Sequence, residues 1–102
     1  MGAVDFYAVA TGDDLQDAFE RAREEAAREH GRVGYSGTID EKDAVTPIEE
    51  PRRLTAEAME RASMLLSDGD RHVDNKWGPA GALPVTTDGG RDGWLIFGVA
   101  SY

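Results

Sequence analysis

Along Val4-Asp5-Phe6-Tyr7-Ala8-Val9-Ala10 the residues sort by twos. This period predicts a strand with Val4, Phe6 and Ala8 on one face and Asp5, Tyr7 and Val9 on the other. The period then lengthens. Leu15, Ala18, Phe19, Ala22 and Ala26 recur at three- and four-residue spacing, the stripe of an amphipathic helix that begins at Thr11 and ends at His30 and Gly31. Thr11 is placed to cap the first turn with Asp14 completing a capping-box-like pair, and Asp13 favours the positive end of the helix dipole. Asp17 with Arg21, and Glu24 with Arg28, supply i,i+4 pairs on the wet face. Gly31 suits a left-handed C-cap.

The pattern from Val33 to Ile39 fits a short strand. Asp40 to Asp43 then fits a turn leading into a second strand, Ala44 to Ile48, which Pro47 assigns to a sheet edge. Glu49 to Arg53 reads as a charged connector. A second helix begins at Thr55, with Leu54 and Met59 in hydrophobic-staple positions and Met59, Ala62, Leu65 and Leu66 as its expected buried stripe. Ser67 to Asp70 stops it. Lys76 to Val85 reads as a strand made irregular by Pro79 and Pro84, and Thr87 to Gly93 as a turn or loop. Trp94 to Ala100 is apolar on both faces, which marks a central strand, and Gly98 leaves room there for a helix to pack closely. The order β-α-β-β-α-β-β predicts an α+β fold: a two-layer sandwich, a mainly antiparallel sheet with both helices on one face, with a ferredoxin-like arrangement plus an extra strand as the candidate topology.

Composition narrows the function classes. At 102 residues the chain suits one domain spanning 1–102, with a core that buries about two-thirds of the unfolded surface. It has no cysteine, hence neither a disulfide framework nor a thiolate metal site. The longest apolar stretch is too short to cross a bilayer, and the N-terminal residues do not read as a secretion signal. A cytoplasmic location is expected, the host cytoplasm if the chain is viral, with no membrane association. Twenty acidic residues against eleven basic ones give a net charge of −9. That field repels nucleic acid, so direct duplex binding is not expected. It suits a halophile or a high-GC source, and it also suits docking onto a basic partner or mimicry of nucleic acid.

The chain contains only two lysines, Lys42 and Lys76, each in a segment marked by glycine and an aromatic residue. Tyr35 and Trp77 offer flat stacking surfaces, Gly34, Gly37, Gly78 and Gly81 permit close backbone approach, and the lysines supply positive charge. Tyr35, Lys42, Lys76, Trp77, Gly78 and Gly81 are therefore the candidate ligand-binding residues, for an anion or nucleotide, provided the two segments meet. The competing account gives the glycines to turns, the aromatics to packing at the sheet edge and the lysines to solvent. Neither segment matches a phosphate loop. Asp40-Glu41-Lys42 resembles the acidic-x-Lys ending of a metal-dependent nuclease core, without the second acidic strand that such chemistry needs. His30 and His72 lie near carboxylates, but helix C-capping accounts for the first and a loop position for the second. No serine sits in a nucleophile context. The sequence thus nominates no catalytic residue, metal ligand or cofactor.

Ala18-Phe19 through Glu24-Glu25-Ala26, Glu29-His30-Gly31, Gly34-Tyr35-Ser36-Gly37-Thr38-Ile39 with Glu41-Lys42, and later Lys76-Trp77-Gly78-Pro79-Ala80-Gly81 together resemble a group of small uncharacterised proteins. These are encoded by tailed phages, prophages and other mobile elements. The resemblance implies an origin rather than an activity. Small phage proteins often act by binding a host or defence protein, so it favours a non-enzymatic accessory protein with a protein partner. A nucleotide-binding module using the two lysine segments is the alternative, and a metal-dependent phosphodiesterase comes third. A homo-oligomer formed through the edge near Pro47 is a further expectation.

Overall fold

The computed structural model describes residues 3–12, 14–30, 39, 42, 44–67 and 79–101. Within them the elements are β1 (Ala3–Ala10), α1 (Leu15–His30), β2 (Val45–Pro47), β3 (Arg53–Leu54), α2 (Thr55–Ser67), β4 (Ala80–Thr86) and β5 (Asp92–Ser101). No helix among the described residues is long and apolar enough to cross a membrane.

The strands form one five-stranded sheet in the order β1-β5-β4-β2, with β3 also paired to β4. β1 runs antiparallel to β5, from Ala3 opposite Ser101 to Ala10 opposite Trp94. β5 runs antiparallel to β4, from Gly81 opposite Phe97 to Thr86 opposite Asp92. Their hairpin closes at residues 87–91, where the Thr87 amide donates to the Arg91 carbonyl and the Gly90 amide to the Thr87 carbonyl, both at 2.8 Å. Gly90 takes φ of 79°, the left-handed position that this three-residue loop requires. β2 and β3 share the other edge of β4, both parallel to it. Pro84 of β4 lies between the segments opposite β2 and β3, so its missing N–H faces the gap between them.

The expected α+β class, with two helices and a mostly antiparallel sheet, is the one the protein adopts. Several members differ from the sequence-based assignment. The expected strand from Val33 lies outside the described residues except for Ile39, whose carbonyl accepts the Lys42 amide at 2.9 Å in a turn. A strand arises instead at Arg53–Leu54, the last residue of the expected connector and the expected staple residue after it. β2 pairs with β4 in parallel, and its edge position matches the presence of Pro47. The order is not ferredoxin-like: that arrangement places the first strand between two others, and among the described residues β1 has β5 as its one neighbour.

Asp14, not Thr11, caps α1. Its Oδ1 accepts the Asp17 amide at 2.8 Å, the third residue of the helix, so the helix starts later than the sequence suggests. The middle of the predicted stripe is buried, where Ala18, Phe19 and Ala22 pack with Phe6, Ile39, Ala80, Ala82, Ile96 and Ala100, and its ends, Leu15 and Ala26, are partly buried against the same cluster. In α2 the buried residues are Ala58, Ala62 and Leu65, which pack with Leu83, Val85, Leu95 and Phe97. Even-numbered residues of β4 and β5 serve the first cluster and odd-numbered ones the second. Successive strand residues point to opposite faces, so α1 covers one face and α2 the other. The expected sharing of one face by both helices does not occur, because β4 and β5 are apolar on both sides and leave two faces to cover. Gly98 makes room for a side chain rather than a helix: a Cβ there would stand 3.1 Å from the Phe6 ring, its cross-strand neighbour.

Candidate functional site

Of the six candidate ligand-binding residues, Tyr35, Lys76, Trp77 and Gly78 lie outside the described residues, as do Asp40, Glu41 and His72. Lys42 and Gly81 are described, and both are buried. Lys42 is only 1% exposed, so its ammonium is withdrawn from solvent, and it engages a neighbour there. Burying a lysine without a partner would be costly, which makes this contact part of the fold's polar accounting. Gly81 sits inside β4 between Phe97 of β5 and Thr46 of β2, with its backbone in the sheet.

The most densely bonded charged group among the described residues joins residues 50–53 to α2. Glu50 accepts Arg61 through two parallel arms, Nε at 2.9 Å and Nη2 at 2.8 Å, while Arg53 Nη1 donates to the same carboxylate at 2.8 Å. The hydrogen bond from Arg61 is the chief cause that holds the Glu50 carboxyl below its ordinary value of 4.5; burial opposes it, and the hydrogen bond and charge of Arg53 reinforce it. Beside it, Arg52 Nη1 donates to the Val85 carbonyl at 2.6 Å and to the Gly93 carbonyl at 3.3 Å. A three-residue γ-turn, with the Glu50 amide on the Ile48 carbonyl at 2.9 Å, shapes the chain between β2 and β3. Glu50 is thus a carboxylate kept ionised and occupied by two guanidinium groups. Its chemistry is that of a clamp fastening the interrupted sheet edge to α2, and it is a poor proton donor.

A different kind of surface stands on the solvent side of α2. With Ala58, Ala62 and Leu65 turned inward, the helical period carries Glu57, Glu60, Ser63 and Met64 outward. Leu54, at 61% exposure, precedes the helix, Met59 is exposed on its flank, and Met64 is 55% exposed. Met59 was expected in the buried stripe, but Ala58 takes that place. Among the described residues the other exposed large apolar ones, Val4, Tyr7 and Val9, all belong to β1. Sequence reasoning missed both groups. The local signal at α2 was a choice between two stripes one residue apart, and only the sheet decides between them.

Comparison of the chain with protein-family models, with curated proteins and with solved structures found no match in any of the three.

Proposed function

We propose that this protein is a small non-enzymatic accessory protein of a phage or mobile element that acts by binding a host or defence-related protein. The observation that carries the reading is the exposure of three large apolar side chains at and around α2, Leu54 just before the helix and Met59 and Met64 on it, together with the exposed Glu57 and Glu60. Methionine side chains are flexible and polarisable, and they suit a surface that adapts to a partner. The flanking carboxylates and the net charge of −9 favour a partner with an apolar pocket and a basic rim. The phage or mobile-element origin rests on the motifs at Gly34 to Lys42 and Lys76 to Gly81. The nucleotide reading draws on Tyr35, Lys42, Lys76, Trp77, Gly78 and Gly81, of which Lys42 and Gly81 are described and both are buried, while the side chains the protein-partner reading needs are exposed.

The test compares immobilised wild-type protein with a Met59→Glu/Met64→Glu variant against extract of the natural host at about 0.15 M salt, where charges beyond about 8 Å are screened. A host protein retained by the wild type and reduced about tenfold by the variant, roughly 1.4 kcal/mol, is the expected result. Identical retention by the two forms, or no retained protein, overturns the reading.

A further inference from the structure

Among the described residues the two edges of the sheet are built differently. One is divided between two short strands, β2 and β3, carries Pro47, and is crowded by Glu50, Arg52 and Arg53. These features are the usual protections against strand addition. The other edge is β1, eight residues long, in unbroken register with β5, without proline or lysine, and with Asp5 as its one charge. It also carries Val4, Tyr7 and Val9, half of the exposed large apolar residues among those described.

The hydrogen bonding fixes which groups of β1 face outward. The Ala80 amide donates to Ala44 and the Ala82 carbonyl accepts Ile48, so even residues of β4 point toward β2 and odd ones toward β5. Carried through the registers of β4 with β5 and β5 with β1, this alternation turns the even residues of β1 toward β5. The N–H and C=O groups of Asp5, Tyr7 and Val9 therefore point away from the sheet.

We propose that β1 pairs antiparallel with β1 of a second copy, about a two-fold axis at Tyr7, joining two sheets into one. In that register Tyr7 faces its own symmetry mate, Asp5 faces Val9, and Phe6 faces Ala8. Each facing pair lies on one face, as antiparallel pairing demands, and Asp5, Tyr7 and Val9 all spend their outward backbone groups on the partner. An aromatic pair at the axis is favourable, and no like charges face each other. The alternative axis at Phe6 sets the two Asp5 carboxylates diagonally, about 7–8 Å apart, whereas the axis at Tyr7 separates them by four residues, about 13 Å and beyond the physiological screening length of about 8 Å. The copies are alike in net charge, so pairing strengthens with salt. This surface is separate from the α2 side used in the proposed function, and either can fail alone.

The test is sedimentation equilibrium of the wild type, Tyr7→Lys and Val9→Lys at about 0.15 M KCl. The two substitutions change the net charge equally. Both positions are exposed, and thermal unfolding establishes that each variant is folded. The wild type is expected at twice the chain mass of 11.1 kDa. Tyr7→Lys places like charges opposite each other and is expected to weaken the dimer at least about tenfold. Val9→Lys meets Asp5 of the other copy and is expected to keep it. A monomeric wild type at about 100 μM, well above the micromolar Kd of a modest complex, overturns the proposal. So does a dimer unchanged by Tyr7→Lys, or one lost equally in both variants.

Discussion

Glu50 is the residue whose environment makes the clearest demand. Its carboxylate is bonded by Arg61 and Arg53 and is 17% exposed, so the pair is partly shielded from water and salt. Because the folded state holds this carboxyl below its ordinary 4.5, the unfolded chain takes up the proton first as pH falls. The resulting stability is fully present above about 4.5 and is lost as pH falls through the lower folded value. Glu50→Gln keeps the shape and removes the charge. It is expected to cost about 1 kcal/mol at pH 7, the range of a partly exposed, charge-assisted bond. The gap to the wild type is expected to narrow below pH 4.5, where the protonated acid and the amide become alike. Urea unfolding at pH 7, 5 and 3.5 checks this, and a gap independent of pH would show that the charge is not what Arg61 requires. A neighbouring constraint is purely steric: a Cβ on Gly93 would stand 2.7 Å from the Ala10 carbonyl oxygen, and backbone cannot swing aside as a side chain can.

Among the elements, α2 shows why the fold was legible in part. Its existence and length follow from Thr55 and an apolar period, and these were readable without tertiary context. Its rotation was not. Met59 and Ala58 are adjacent, and propensity does not choose between them. The flat, apolar side of β4 and β5 decides, because Ala58 and Ala62, both fully buried, let the helix backbone come close to Leu83 and Phe97. The same reasoning explains the sheet. β1 and β5 were evident from local pattern, whereas β3 is only the end of a charged connector, Arg53, with Leu54 after it, and forms where β4 offers Val85 and Thr86 as partners. The Glu50 clamp spans eleven residues of sequence, too far for any spacing rule, and the Lys42 segment gave no sign that its lysine would be buried. Ala62→Leu tests the close approach. Enlarging a fully buried alanine is expected to cost about 1–3 kcal/mol, against no more than about 0.5 kcal/mol for Ser63→Leu on the exposed side. Equal effects at the two positions in urea unfolding would contradict the assigned rotation.

For the molecule as a whole, the governing quantity is charge. With a Cα radius of gyration of 12.6 Å and a net charge of −9, every carboxylate lies within the field of the others at low salt. The screening length is about 30 Å at 0.01 M, about 8 Å at 0.15 M and about 3 Å at 1 M. Self-repulsion therefore acts across the whole fold at the first concentration and is mostly local at the second. The Arg61–Glu50 bridge responds in the opposite sense but is short and partly shielded, so it loses less than the long-range repulsion does. Thermal unfolding in KCl is accordingly expected to shift upward by a few degrees between 0.01 and 0.15 M, since about 1 kcal/mol corresponds to roughly 4–8 °C for a domain near this size. Beyond that the curve is expected to level off. A melting temperature that keeps climbing into molar KCl would instead mark the acidic surface as adapted to a high-salt interior. Pairing through β1 also strengthens with salt, but it makes the melting temperature depend on protein concentration, whereas screening within one chain does not. Repeating the salt series at two protein concentrations separates the contributions, and a shift that vanishes on dilution would assign the salt effect to the dimer rather than to the charge of the single chain.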